Sequence, residues 1–131
     1  MSEPQRVLIV DDDRKIVQAI SVRLRSEGYD VQAAFDGEAG LAAATEQIPD
    51  VIVLDIRMPK IDGLSLLAKL REHAQTKRIP TIVLSASAVD EVNALDAGAY
   101  CFLPKPYDTR TLLQYVASAL RLEAESVERG S

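Results

Sequence analysis

The sequence predicts an α/β fold, a doubly wound (βα)5 three-layer sandwich whose five-stranded parallel sheet has the strand order 2-1-3-4-5. Two observations support this prediction. Short runs of β-branched and aliphatic residues alternate with longer stretches in which apolar residues recur at helical spacing. The short runs are almost continuously apolar, which is typical of parallel strands that helices cover on both faces. Right-handed crossovers between such strands leave few topologies, and we expect this doubly wound order.

The predicted strands are short and differ in strength. The second is the weakest, and the third and fourth are the most apolar. In chain order they are RVLIV at Arg6–Val10, Val31–Ala34, VIVL at Val51–Leu54, TIVL at Thr81–Leu84 and Tyr100–Leu103.

The helices between the strands are predicted from stripes of apolar residues, which face the core in amphipathic surface helices. The first stripe stops at Gly28, a residue that commonly ends helices. In chain order the stripes are Ile16, Val17, Ile20 and Leu24; Ala39, Ala42 and Ala43; Leu64, Leu67 and Leu70; Val89, Val92 and Leu95; and Leu112, Leu113, Val116 and Leu120.

Length and composition favour one globular domain. The chain has 131 residues, of which 47% are hydrophobic and 27% are charged. We expect residues 1–131 to form a single domain with a core at about 5–122, followed at 123–131 by a polar tail or the start of a linker. One cysteine excludes an intramolecular disulfide. We expect a cytoplasmic protein, because the apolar runs are too short to span a membrane and no signal peptide is recognisable.

The residues that end the predicted strands are the most informative feature of the sequence. In a doubly wound sheet, ligands bind beyond the carboxyl ends of the strands. Acids, a hydroxyl and a lysine are therefore expected to converge on one rim. They belong to the strand ends Asp11, Asp12 and Asp13; Asp55; Ser85 and Ala86; and Lys105 and Pro106.

These residue types suit phosphoryl transfer. Clustered carboxylates repel one another, and a hard divalent cation such as magnesium neutralises them. A metal with a lysine and a hydroxyl beside it would hold a phosphoryl group from several sides. Asp55 can act as the nucleophile, because carboxylates form acyl phosphates.

The motifs VLIVDDD, VIVLDIRMPKIDG, TIVLSAS and FLPKP resemble the receiver domain of two-component response regulators, which has a flavodoxin-like fold of the chemotaxis-regulator type. The resemblance covers about residues 5–122. It implies that Asp55 is the phosphoacceptor and that Asp11 and Asp12 hold magnesium with a further ligand from the Arg57 backbone carbonyl. It also implies the following roles and geometry: Ser85 as the switch hydroxyl, Lys105 as the invariant lysine, Phe102 as the switch aromatic, and a cis peptide bond at Lys105–Pro106.

Two features depart from the usual pattern of this family. The switch aromatic is more often tyrosine than phenylalanine. The stretch from Ser85 to Lys105 is two residues shorter than usual, which brings the usual signalling face, from the fourth helix to the fifth, into question as a dimer surface.

The resemblance implies a function in signalling. Asp55 would receive a phosphoryl group from a sensor histidine kinase or a phosphotransfer protein, with magnesium, and the domain would catalyse only its own labelling and dephosphorylation. It would then control a downstream protein or an output domain, and it could form a homodimer. The net charge of −5 argues against direct binding to nucleic acid. A single-domain regulator and a receiver cut from a longer protein both fit the sequence.

Other protein classes fit less well. A phosphatase of the haloacid-dehalogenase type also forms an aspartyl phosphate, but the last element of its Asp-x-Asp-x-Thr/Val pattern is missing from the segment Asp11–Lys15. A flavodoxin-like cofactor binder would need a phosphate-binding loop where this chain has three aspartates. No Gly-Lys-Ser/Thr motif of a P-loop nucleotidase is present. The phosphatase stays as the alternative.

Other polar and small residues have structural interpretations. Asp13 is expected to cap the first helix, and Gly63 to be a turn residue before the third helix. His73 is expected at the end of that helix and Cys101 in the core. The Arg57 side chain is expected to lean over the phosphoryl site.

Overall fold

Strands and helices alternate strictly along the residues that the structure describes. The computed structural model describes residues 3–58 and 62–130, with side chains in the last helix as far as Arg121. The elements are β1 Arg6–Val10, α1 Arg14–Ser26, β2 Asp30–Ala34, α2 Gly37–Glu46, β3 Val51–Asp55, α3 Gly63–Glu72, β4 Thr81–Ser85, α4 Ala88–Asp96, β5 Cys101–Pro104 and α5 Thr109–Gly130.

The sheet is parallel throughout and has the order β2-β1-β3-β4-β5, as predicted. Its register aligns the carboxyl ends of the four strands that carry the candidate site. Val10 pairs with Leu54, Asp55 with Leu84, and Ser85 with Pro104. The residues at and just beyond these ends therefore emerge on one rim of the sheet.

Each face of the sheet has its own apolar core, because side chains alternate between the two faces of a strand. One face packs under α1 and α5, and the other under α2, α3 and α4. The first core contains Ile9, Val53 and Leu84 with Leu24 and Leu112. The second contains Leu8, Leu54 and Val83 with Leu67 and Ala94. A fully buried side chain of this size contributes about 1.5–3 kcal/mol.

Aspartates begin the first three helices. The Asp13 carboxylate accepts from the N–H groups of Lys15 and Ile16, which confirms it as the cap of α1. The equivalent caps of α2 and α3 are Asp36 and Asp62. At the other end of the chain, α5 continues to Gly130, across most of the segment expected to be a tail or linker. Ser131 lies outside the described residues.

Two of the predicted stripes do not face the core. In α2, Ala39 and Ala42 are exposed, and Gly37, Gly40 and Ala44 are buried instead. A Cβ atom at Gly40 would come within 3.0 Å of the Val10 methyl groups, so α2 approaches β1 closely there and a larger residue would require Val10 to shift by a few tenths of an ångström.

The stripe on α4 is also wrong as a prediction of the buried face. Val89, Val92 and Leu95 are 68%, 61% and 46% exposed, whereas Asp90 and Ala94 are buried. The periodicity identified the helix correctly but assigned the wrong face to the core.

Among the residues described, no helix combines the length and the apolar character that a bilayer crossing requires.

Candidate functional site

Three carboxylates meet on the rim where β1 and β3 end. Asp11 and Asp12 follow β1, and Asp55 is the last residue of β3. One oxygen from each lies within 4.8 Å of the other two. Asp11 and Asp55 are buried, and Asp12 is exposed. The cluster therefore has a buried floor and one side open to solvent.

Asp11 carries the clearest sign that this cluster suits a cation. Its Oδ1 atom accepts from the Asp13 N–H at 2.9 Å, but its buried Oδ2 atom has no hydrogen-bond partner among residues 3–58 and 62–121. Burial raises the pKa of Asp11 to about 6; the bond from Asp13 opposes this and the charge of Asp55 adds to it. An unpaired buried oxygen beside two further carboxylates matches the oxygen ligands that magnesium prefers.

Asp55 is held between a cation and a backbone donor. The Lys105 Nζ atom lies 3.3 Å from its Oδ2 atom, and the Arg57 N–H donates to its Oδ1 atom at 3.2 Å. Lys105 directly follows β5. The peptide bond between Lys105 and Pro106 is cis, which confirms the expected geometry. The Asp55 carboxylate, the Lys105 ammonium group and the acid cluster are thus brought together by three strand ends.

Ser85, at the end of β4, is bonded on both sides of its hydroxyl oxygen. The hydroxyl donates to Asp90 Oδ2 at 2.5 Å and accepts from the Ser87 N–H at 3.1 Å. Ser87 is the N-cap residue of α4. Ser85 is therefore linked to the first turn of α4.

The Arg57 side chain contradicts the expectation that it leans over the phosphoryl site. Its Nε and Nη2 atoms donate to the two oxygens of Asp90, at 2.8 and 3.2 Å. This bidentate pair holds the guanidinium against α4, although the Arg57 side chain is 68% exposed. The Arg57 side chain adopts this conformation, and not one that leans over the phosphoryl site, because here it donates to a carboxylate that is almost fully buried.

Asp90 is the residue at this site that sequence reasoning missed. Burial opposes ionisation of its carboxyl, but the hydrogen bonds from Ser85 and Arg57 and the charge of Arg57 together lower its pKa. Its signal in the sequence was weak: an acid in the first turn of a helix is ordinarily explained by the helix dipole.

Gly63 allows α3 to pack closely against the backbone at the end of β3. A Cβ atom there would lie 2.5 Å from the Ile56 Cα atom and 2.9 Å from the Asp55 carbonyl oxygen. Gly63 is the first residue of α3 and not a turn residue as expected. Glycine is required because the helix backbone passes directly against the end of β3.

Phe102 lies in β5 beside Val83 and is 9% exposed. Its ring packs with the core under α2, α3 and α4.

Two other residues considered in the sequence analysis lie away from the acid cluster. His73 is the C-cap of α3, and half-buried Cys101 is in β5, where burial raises the pKa of its thiol to about 11. Pro59, Lys60 and Ile61 of the third motif lie outside the described residues.

An apolar groove of about 540 Å³ opens beside Lys105. Ile16 and Ile20 of α1 form one wall, and Pro106 and Tyr107 form part of the other. Burial and the nearby charges of Asp11 and Asp55 raise the pKa of Tyr107 to about 12, so its hydroxyl stays protonated at neutral pH.

Comparisons with known proteins agree on one family. The sequence model for the response regulator receiver domain matches residues 7–117. The chain is 41% identical over 118 residues to the DNA-binding dual master transcriptional regulator RpaA of Synechocystis, covering 88% of this chain and 49% of that protein. It spans about half the length of such curated relatives.

Solved structures are similar over nearly the whole fold. The chemotaxis protein CheY4 of Vibrio cholerae has a TM-score of 0.84 at 34% identity, covering 89% of this chain and 99% of that one. The receiver domain of the sensor histidine kinase PA1611 of Pseudomonas aeruginosa, solved with a magnesium ion coordinated in the active site cleft, has a TM-score of 0.82 at 33% identity. The match covers 89% of this chain and 98% of that one.

Proposed function

The chain belongs to the response regulator receiver domains of two-component signalling, and on that basis we propose that its phosphoacceptor is Asp55. The observation that carries this proposal is the placement of the Asp55 carboxylate, which is buried at the acid cluster and lies 3.3 Å from the Lys105 ammonium group. A carboxylate held this way is nucleophilic, and the charge it gains on phosphorylation has a partner ready.

Magnesium is the cofactor we propose. Asp11, Asp12 and Asp55 would hold it, and the family resemblance adds the backbone carbonyl of Arg57 as a further ligand. A bound magnesium ion neutralises the carboxylates and supplies positive charge to the phosphoryl oxygens. The unpaired buried oxygen of Asp11 supports this proposal.

The residues of the rim divide the transfer among them. An Asp55 oxygen forms a bond to phosphorus, and the bond between phosphorus and the donor's histidine nitrogen breaks, with its electron pair leaving on that nitrogen. Lys105 pairs with a phosphoryl oxygen, and the Ser85 hydroxyl donates to another. In dephosphorylation, a water oxygen bonds to phosphorus and the bond between phosphorus and the Asp55 oxygen breaks, with its electron pair returning to the Asp55 carboxylate. Inorganic phosphate leaves with the water oxygen, and the excess proton passes to solvent. The domain thus catalyses only its own labelling and dephosphorylation.

The partners we propose are a sensor histidine kinase or phosphotransfer protein as donor and a downstream protein or output domain as receiver of the signal. The groove beside Lys105 gives the donor an apolar surface next to Asp55. RpaA is about twice as long as the matched region and is described as DNA-binding; an output of that kind would lie outside a receiver domain. We further propose a cytoplasmic location, one receiver domain with its core at residues 5–122, and a homodimer as an additional assembly.

The haloacid-dehalogenase alternative is not supported, because the matched family and structures are receivers.

Intact-mass spectrometry tests the central proposal. Wild-type protein incubated with acetyl phosphate and magnesium should gain one phosphoryl group, and Asp55→Asn should gain none. Asp30→Asn is the matched control, because exposed Asp30 begins β2 at the opposite end of the sheet. It should label like wild type. Labelling that persists in Asp55→Asn would rule out Asp55 as the acceptor.

A further inference from the structure

The single proton of the Ser85 hydroxyl has one assigned acceptor. It is donated to Asp90 Oδ2 at 2.5 Å, and the lone pairs of the same oxygen accept the Ser87 N–H. A serine hydroxyl has only one hydrogen to donate. It can therefore bond to Asp90 or to a phosphoryl oxygen on Asp55, but not to both.

Helix capping does not account for the placement of Asp90. Ser87 is the N-cap of α4 and Asp90 is three residues later, which is the spacing of a capping box. In a capping box the Asp90 carboxylate would accept from the Ser87 N–H. That N–H instead donates to the Ser85 hydroxyl oxygen. Asp90 Oδ2 accepts from Ser85 and Arg57, and Asp90 Oδ1 accepts from Arg57.

Burying the Asp90 carboxylate costs free energy unless donors outside the helix satisfy it. Asp90 is 5% exposed, while its helix leaves Val89 68% exposed. An ionised carboxylate is stable at such a position only when donors satisfy it, and both donors here come from strand ends of the site. Asp90 therefore links the rim directly to α4.

Movement of the Phe102 ring, the switch aromatic that the resemblance implies, would change the structure less than movement of the Ser85 hydroxyl. The Phe102 ring is already 9% exposed and packed in the core, so inward movement could bury little more of its surface. The Ser85 contacts, in contrast, join β4 to the first turn of α4 through two hydrogen bonds that must break together if the hydroxyl moves toward Asp55.

We propose that Asp90 is a positioning residue that holds the Ser85 hydroxyl and the first turn of α4 until a phosphoryl group on Asp55 competes for the hydroxyl. The inference rests on the proposed function of Asp55. When Ser85 turns to the phosphoryl oxygen, Asp90 keeps Arg57, and α4 loses its link to β4. The competition lowers the affinity of the site for the phosphoryl group and transmits its arrival to α4.

A double-mutant cycle tests the proposal with beryllofluoride, which imitates a phosphoryl group on aspartate. Magnesium-loaded wild type, Asp90→Asn, Ser85→Ala and the double variant are titrated with beryllofluoride and followed by amide NMR. Asp90→Asn removes the charge that holds Ser85 and should tighten binding at least about fivefold, the lower end of typical allosteric coupling. In the Ser85→Ala background the same substitution should change the affinity less than about twofold, which is comparable to the usual additivity error of independent sites.

Glu91→Gln is the matched control, since it removes the neighbouring exposed acid in the same first turn. It should bind like wild type. An equal effect of Asp90→Asn with and without the Ser85 hydroxyl would show a merely structural role and overturn the proposal. So would unchanged affinity in Asp90→Asn when wild type binds. Failure of wild type to bind, or equal binding by Asp55→Asn, would overturn the proposed function together with the inference.

Amide hydrogen exchange in the wild-type protein tests the release of α4 from Ser85 even if Asp90→Asn is too unstable to study. Beryllofluoride should speed exchange of the Ser87 amide, which loses its acceptor when Ser85 turns. The Ile56 amide, bonded to the Leu84 carbonyl one residue beyond the end of β3, is the internal control and should be unchanged. Retained protection at Ser87 in the bound state would refute release of α4.

Discussion

Asp12 and Asp13 are adjacent, acidic and exposed, yet their side chains have different tasks. Asp12 contributes an oxygen to the carboxylate cluster, whereas the Asp13 side chain accepts from two N–H groups at the start of α1. The Asp13 backbone N–H also donates to Asp11, a contact that does not depend on its side chain. Charge alone therefore does not define the site; the direction of each carboxylate does.

This difference predicts that two alanine substitutions affect different properties. Asp12→Ala should reduce magnesium-dependent labelling by acetyl phosphate by at least about tenfold, since losing one ligating carboxylate weakens magnesium binding and with it the positive charge that the phosphoryl oxygens need. Asp13→Ala should leave labelling within about twofold of wild type but lower the free energy of unfolding by about 1 kcal/mol through loss of the helix cap. Labelling rates and urea unfolding measure the two effects. Equal loss of labelling in both variants would contradict the assignment.

At the scale of elements, one side chain joins α3 to the connection between α4 and β5. The Arg71 guanidinium donates twice to the Gly98 carbonyl, at 3.0 and 3.1 Å, and also to the Thr81 hydroxyl and the Thr76 carbonyl. Burial lowers the pKa of Arg71 below the ordinary value for arginine. These contacts fix the turn at Gly98, whose φ of 99° suits glycine.

Replacing Arg71 by methionine should therefore destabilise the domain. The substitution keeps much of the apolar stem but leaves the Thr76 carbonyl and the Thr81 hydroxyl, both on buried residues, without this donor, whereas water can replace it at exposed Gly98. We expect a cost of about 1–2 kcal/mol. The control is Lys69→Met, an exposed cation on the same helix, which should change stability by less than about 0.5 kcal/mol. Urea unfolding compares them. Similar stability of the two variants would show that the Arg71 contacts contribute nothing net.

At the scale of the whole molecule, the acid cluster belongs to the same sheet that carries both cores. β1 and β3 end at the cluster, and their residues are buried in each core. A cation bound by Asp11, Asp12 and Asp55 therefore binds only the folded chain. Its binding free energy adds to the stability of the whole domain by mass action.

Magnesium should accordingly raise the Tm of the wild-type protein. At ten times its dissociation constant, a ligand of the folded state adds about 1.4 kcal/mol, which corresponds to roughly 5 °C for a domain of this size. Calorimetry with and without magnesium chloride, against sodium chloride at equal ionic strength, measures the shift. Asp12→Ala should lose most of it. An equal rise with sodium chloride would indicate general screening and not a site.

Much of the fold and of the rim could be predicted because the signals are local. Apolar runs located every strand to within about a residue, and the topology then placed Asp11, Asp55, Ser85 and Lys105 on one edge. The cap of α1 at Asp13 was also predictable, since capping involves residues two and three positions away. Gly63 was recognised as necessary, but its close approach to the backbone of β3 depends on a neighbouring element and could not be seen.

The sequence by itself predicted the sheet order and the identity of the residues on the rim, because strand ends follow from periodicity and right-handed crossovers leave few topologies. The tertiary structure alone decided which face of α4 is buried. Helical spacing shows that Val89, Val92 and Leu95 share a stripe, but not what lies opposite it. Asp90 faces inward because the hydroxyl of Ser85 and the guanidinium of Arg57, 5 and 33 residues away, satisfy its carboxylate there. Such a contact depends on distances that form only when β3, β4 and α4 are packed together.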